Sequence, residues 1–236
     1  MAGEYSDSAE KAARFENEYS AAEALLAEAK HSEAINAFAA LRNYSDAAER
    51  VLAIHYDLAE AALAAGEYDT ASAEFTAAKR YSDAARRIYE PYYAKAEALL
   101  AEGKTAEAIA EFEAISGYSD ARKRAAAIHY DLAETALATG EYDTALAEFA
   151  AAGTYSDAAE RIQKIHYSLG ETAFVDEDYS TAATEFSAAG EYLDAAERYA
   201  VSLNYDAYQA AVQKQELGDF DAAIALYEEL GEFSDC

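Results

Sequence analysis

The chain has 236 residues, enough for one or two ordinary domains, and 53% of them are hydrophobic, which excludes a disordered tail. There are 63 alanines against 1 proline, 10 glycines and no tryptophan. That composition forms helices and argues against a sheet-dominated fold. With 18 Lys+Arg and 46 Asp+Glu the formal net charge is -28, which repels nucleic acid phosphates and anionic membranes. Screening that charge should stabilise the chain. Moderate salt, with a screening length of about 10 Å at 0.1 M, is expected to raise the melting temperature. A lower melting temperature in salt would mean that local ion pairs outweigh the global repulsion.

The predicted elements follow an internal repeat. Tyr-Ser-Asp begins at Tyr5, Tyr44, Tyr81, Tyr118 and Tyr155, returns as Tyr-Leu-Asp at Tyr192, and as Phe-Ser-Asp at Phe233. The period is about 37 residues, with units of approximately 5-43, 44-80, 81-117, 118-154, 155-191 and 192-232. Residues 233-236 read as the start of a truncated seventh unit, Cys236 standing where Ala47 stands. The stretch from Ile54 to Phe75 recurs almost unchanged from Ile128 to Phe149, as if a two-repeat block had been duplicated.

Each unit reads as two helices. The first opens at the aspartate of Tyr-Ser-Asp, and Asp46 with Glu49, Asp157 with Glu160 and Asp194 with Glu197 fit capping boxes. It closes at Gly66, Gly103, Gly140 or Gly218, suited to a left-handed C-cap. The second helix pairs alanine with an aromatic four residues on: Ala34/Phe38, Ala71/Phe75, Ala108/Phe112, Ala145/Phe149, Ala182/Phe186 and Ala223/Tyr227. That spacing puts both on one face. Pro91 lies inside the long first helix of the third unit and should kink it or split it after Glu90. The last step of 41 residues adds close to one helical turn.

In the second unit Leu58, Ala59, Gly66, Tyr68, Ala71, Phe75 and Ala78 together resemble the tetratricopeptide repeat. The chain is most similar to a 37-residue, bacterial-type variant in which an aromatic-x-Asp segment replaces the closing proline. The resemblance implies an all-α, right-handed α-solenoid of six helix pairs, with the first helices lining a concave face. It also implies a non-enzymatic protein-interaction scaffold with no cofactor.

On those first helices stand Tyr19, Tyr56, Tyr93, Tyr130, Tyr167 and Tyr208, followed four residues later by Glu23, Glu60, Glu97, Glu134 and Glu171. Leu26, Leu63, Leu100 and Leu137 come three residues after that. The expected groove is acidic, tyrosine-lined and partly apolar, and its expected ligand is an extended basic or amphipathic peptide. The competing expectation is that the tyrosines wedge between successive first helices, leaving an architectural spacer or a designed, consensus-like array that binds nothing. An enzyme with a carboxylate site in the groove is a third, weaker reading.

Lys11, Arg50, Arg87, Arg124, Arg161 and Arg198 each follow an opening aspartate by four residues and are expected to pair with it inside the helix. His55, His129 and His166 recur without converging ligands, so packing or hydrogen bonding is expected rather than metal binding. Asp176-Glu177-Asp178 reads as a solvated turn rather than a calcium loop. There is no phosphate-binding glycine loop and no nucleophile motif. The N-terminus lacks an apolar stretch, so no signal peptide is expected, and a complete chain would be cytoplasmic. Ala223, Leu226 and Tyr227 of the last unit should be partly uncovered and support weak end-to-end self-association.

Overall fold

The computed structural model describes residues 2–231 and 233, with side chains from residue 9 onward. Tyr5, Asp7 and Cys236 therefore lie outside the described side chains. The chain divides into two compact units, Met1–Arg122 and Lys123–Cys236. Among the described residues the elements are all helical.

The first unit holds α1 (Ala2–Ala27) with α2 (His31–Leu41), α3 (Ala47–Ala64) with α4 (Tyr68–Ala78), and α5 (Ala84–Arg87) plus α6 (Glu90–Ala101) with α7 (Thr105–Ala114). The second holds all but the first two residues of α8 (Ala121–Ala138) with α9 (Tyr142–Ala152), α10 (Ala158–Val175) with α11 (Tyr179–Ala189), and α12 (Ala195–Glu216) with α13 (Phe220–Leu230). The six pairs form an all-α repeat architecture, and within each compact unit one described hairpin packs on the next. Pro91 does split the first helix of its pair, and the break falls at Ile88–Tyr89, before Glu90 rather than after it. Proline sits well in a first turn, where its missing N–H has no acceptor to lose. The four extra residues of the last repeat lengthen α12 to 22 residues against 18 in α3 and α10.

The core repeats as a triad. A small first-helix residue (Ala22, Ala59, Ala96, Ala133, Gly170 or Ala211) meets a second-helix alanine and its aromatic. Phe38, Phe75, Phe112, Phe149 and Phe186 are fully buried. Gly170 marks the tightest approach, since a Cβ there would meet the Phe186 ring at 2.9 Å. Alanine lets the helix backbones close on a phenylalanine that supplies most of the apolar volume.

The turns are built on left-handed residues. Gly66, Gly103, Gly140 and Gly218 have φ between 76° and 78°, as a C-cap requires. Glu177 occupies that place in the fifth repeat with φ 62°. The serine of Tyr-Ser-Asp also takes positive φ: 51° at Ser45, 52° at Ser82, 50° at Ser119 and 53° at Ser156. The capping boxes expected at Asp46, Asp157 and Asp194 do not form, because none of these carboxylates caps its helix. They are drawn instead to the preceding repeat.

Candidate functional site

The tyrosine, glutamate, aspartate and arginine ladders meet at the junctions between repeats. Tyr19, a half-buried residue of α1, lies edge-on to Phe38 of its own hairpin at 5.3 Å and to Tyr44 at 6.2 Å. Its hydroxyl donates to Asp46 at 2.5 Å. One turn on, Glu23 accepts from Arg50 at 2.5 and 2.8 Å. Both bonds span 27 residues of sequence and tie α1 to the start of α3.

The pattern recurs. Tyr56 donates to Asp83 at 2.7 Å, and Arg87 reaches Glu60. Tyr93 donates to Asp120 at 2.7 Å. Tyr130 donates to Asp157, and Arg161 lies 3.3 Å from Glu134. Tyr167 donates to Asp194 at 2.5 Å, and Arg198 bonds Glu171 at 2.6 Å. The sixth repeat departs, with Tyr208 edge-on to Tyr227 at 5.9 Å and Val212 in the glutamate's place.

The arginines are thus not chiefly intrahelical partners, as sequence proximity suggested. Arg161 does bond the aspartate four residues before it, at 3.0 Å. Arg50, Arg87 and Arg198 reach the glutamate of the preceding repeat, where the guanidinium also lies on aromatic rings, and Arg87 bonds Glu90 at 2.6 Å as well. Arg87 sits 4.6 Å from the centre of Phe75, and Arg198 sits 4.4 Å from Phe174.

Hydrogen bonding sets the titration of this cluster. The bond to Asp46, helped by burial, pushes the Tyr19 hydroxyl up to about 12, and the bond to Asp194 does the same for Tyr167. Asp46 and Asp157 are held below the ordinary carboxylate range, first by the tyrosine hydroxyls they accept. The aspartates' contribution is present above their ordinary range near 3.8 and is lost as pH falls through the lowered folded values. The tyrosines' contribution is full below pH 10 and is lost as pH rises from there through about 12. Melting temperature against pH should therefore fall at both ends. Tyrosinate absorbance should appear in two phases, Tyr19 and Tyr167 ionising last. A single phase at pH 10 would show that these bonds do not form.

A second ladder, which the sequence reading did not pair, holds each hairpin together. His55, His129 and His166 place Nδ1 at 2.6, 2.6 and 2.7 Å from Glu74, Glu148 and Glu185. The carboxylate accepts, so Nδ1 carries the proton. The only sequence signal was a constant separation of 19 residues. In the third repeat Lys95 takes over, 2.7 Å from Glu111 and 3.6 Å from Asp69. A shallow recess at the start of α4, lined by Gly66, Tyr68, Asp69, Thr70 and Lys95, is therefore no anion site, because its lysine is already neutralised. Among the described residues no cluster of three His, Cys, Asp or Glu is arranged to hold a metal ion. No helix among them is long and apolar enough to cross a membrane.

Residues 93–159 match the tetratricopeptide repeat family. No curated protein matches the chain. A solved structure, the C-terminal part of a tetratricopeptide repeat-containing protein from Cytophaga hutchinsonii, is similar at 18% identity over 90% of this chain and 77% of that one. Its TM-score of 0.21 carries no structural argument. The family match spans parts of three consecutive repeats, and the same triad of small residue, alanine and aromatic fills the hairpins outside it. Residues 93–159 thus match a tetratricopeptide repeat, and the helix pairs on either side of them are similar in pattern.

Proposed function

We propose that the chain is a protein-interaction scaffold whose first-helix surface, within each compact unit, binds an extended basic or amphipathic peptide. Tetratricopeptide repeats generally mediate protein–protein interaction and are typically non-enzymatic. One observation carries the peptide reading. Half-exposed tyrosine rings recur one repeat apart, as at Tyr19, Tyr56 and Tyr93, and an exposed carboxylate follows in alternate repeats, Asp57 after Tyr56 and Asp131 after Tyr130. The residues assigned to contact are Tyr19, Tyr56, Tyr93, Tyr130, Tyr167 and Tyr208, with Glu23, Glu60, Glu97, Glu134 and Glu171. The hydroxyls of Tyr19, Tyr56, Tyr93, Tyr130 and Tyr167 already bond aspartates, so a ligand meets ring faces rather than hydroxyl tips there. Lysine and arginine suit such faces in a field of net charge -28. Similar contacts one repeat apart within a compact unit would add by avidity.

The clamp geometry favours a second reading, in which the ladders serve the joints alone and the array is an architectural spacer. The test is titration of a basic peptide library against wild type and against Tyr56, Tyr93 and Tyr130 replaced together, once by phenylalanine and once by alanine. Peptide binding predicts salt-weakened affinity that survives the phenylalanines, which keep the rings, and falls at least tenfold with the alanines at retained helicity. No binding by the wild type, or equal binding by all three proteins, establishes the spacer.

A further inference from the structure

Not every surface expected to stand open does. Ala223 of the last repeat is 3% exposed rather than partly uncovered, and Leu226 and Tyr227 are half-buried. The open cations of the first unit lie elsewhere, along the edge where one repeat hands over to the next. Residues 79–87 carry Lys79, Arg80, Arg86 and Arg87 against Asp83 alone, and Arg122 follows Asp120 one repeat later. The same stretch after the fourth repeat holds Arg161 against Asp157 and Glu160, and after the fifth it holds Arg198 against Glu191, Asp194 and Glu197. Arg50, Arg87 and Lys95 are tied to glutamates. Lys79, Arg80, Arg86 and Arg122 are exposed, and none of them has an ion-pair partner among the described residues.

The joints leave these cations free. Asp83 and Asp120, the nearest carboxylates in sequence, accept from Tyr56 and Tyr93 of the preceding repeat, both at 2.7 Å, and Glu90 accepts from Arg87 at 2.6 Å. Lys79 also stands in a costly place. Its φ is 55°, where the corresponding Gly153 and Gly190 have 62° and 63°, a region that glycine enters freely and lysine does not. A charged side chain kept there is backbone strain of the kind found at working surfaces. An aromatic platform joins the two loops. At the helix break the Tyr89 ring is 51% exposed, and it lies 6.1 Å from the half-buried Tyr118 ring. Arg86 is three residues before Tyr89 and Arg122 four after Tyr118, so the ring pair links the cations of two successive repeats. In the second unit Ala126 and Gln163 take the place of Tyr89. This edge is no stacking face. The serines of the handover loops, Ser45, Ser82, Ser119 and Ser156, are all exposed, so neighbouring repeats leave it open.

We infer that this edge of the first unit binds a short, extended, carboxylate-rich segment of another protein, whose acids meet Lys79, Arg80, Arg86 and Arg122 and whose aromatic residue lies on Tyr89. Charge complementarity selects the partner, since a guanidinium fork matches a carboxylate with two bonds at once. The surrounding surface limits its length. The turns between first and second helices expose Glu67, Asp69, Glu102 and Glu107. A short acidic segment stays clear of them, whereas a long polyanion such as nucleic acid runs onto carboxylates that repel its phosphates. The site takes a partner opposite in sign to the basic peptide proposed above and does not rest on that reading.

The probe is a labelled synthetic peptide, Glu-Glu-Tyr-Gly repeated three times. It is titrated with the full chain and followed by fluorescence anisotropy, with the mass of the chain measured in parallel by light scattering. The expected result is saturable, salt-weakened binding. Arg80→Gln, Arg86→Gln and Arg122→Gln together should weaken it at least tenfold at unchanged helicity, because all three side chains are exposed. Tyr89→Ala should weaken it severalfold. Lys30→Gln, Lys104→Gln and Lys164→Gln together make the same change in net charge away from the patch and should leave the affinity within twofold. Absence of binding overturns the assignment. So does an equal loss in the two triple variants, which would give the binding to the general field of the molecule. Tighter binding of a single-stranded oligonucleotide of equal charge overturns it in favour of nucleic acid. A dimeric mass that the arginine substitutions reduce to a monomer also overturns it, giving the edge to a second copy.

Discussion

Phe149→Ala should lower the stability of the second unit by about 3–5 kcal/mol, the upper range for truncating a core side chain. Phe149 is fully buried among Ala133, Ala136, Ala145, Ala152, Ala158 and Ile165. The size of the effect follows from that company. Alanine has no rotamer with which to fill a void, so a cavity here can close only if two helices move together. The Tyr130 ring, edge-on at 5.3 Å, also loses its support, and with it the aim of its hydroxyl at Asp157. Urea unfolding followed by far-UV circular dichroism would read the change. Repeat arrays propagate stability between neighbours, so the variant should show an early second transition rather than a uniform shift. A loss below about 1 kcal/mol would mean that the alanine surroundings collapse freely, against the packing argument.

Ala133→Leu is the complementary experiment, with an expected cost of about 1–3 kcal/mol from overpacking. Ala133 has no exposed surface and stands on α8 where Gly170 stands on α10. At Gly170 even a Cβ would come within 2.9 Å of the Phe186 ring, which measures how little clearance this joint has. A leucine must therefore push the hairpin open. Thr135→Leu, two residues on and exposed, adds a similar side chain without that constraint and should change stability by no more than about 0.5 kcal/mol. Thermal melts of both variants decide the matter. Equal effects would show that leucine's bulk is absorbed everywhere and that the small residue is not required.

The sequence by itself determined the repeat, the six helix pairs and the identity of the core. A 37-residue period, alanine and aromatic four apart, and glycine at the first helix's end are local signals, each with a local cause. Periodicity decides which face is buried, and glycine supplies the positive φ that ends the helix. Pro91 announced a break for the same reason, wrong only by the two residues that place proline inside a first turn rather than after a last one.

What only the tertiary structure decided is which ladder bonds which. Arg50 has Asp46 four residues away in sequence, yet its guanidinium binds Glu23, 27 residues distant, because stacking repeats brings that glutamate and the Phe38 ring to the same place. Asp46 is released from capping because the Tyr19 hydroxyl reaches it first. The constant separation of 27 residues between the tyrosine and aspartate ladders, and between the glutamate and arginine ladders, was written in the sequence. Periodicity fixes that separation for any pair of ladders, however, and so selects none of them. The selection comes from three-dimensional proximity. A carboxylate and a guanidinium attract each other more strongly at the half-buried joint between repeats, where water is partly excluded and aromatic rings offset the guanidinium's lost hydration, than along an exposed helix surface.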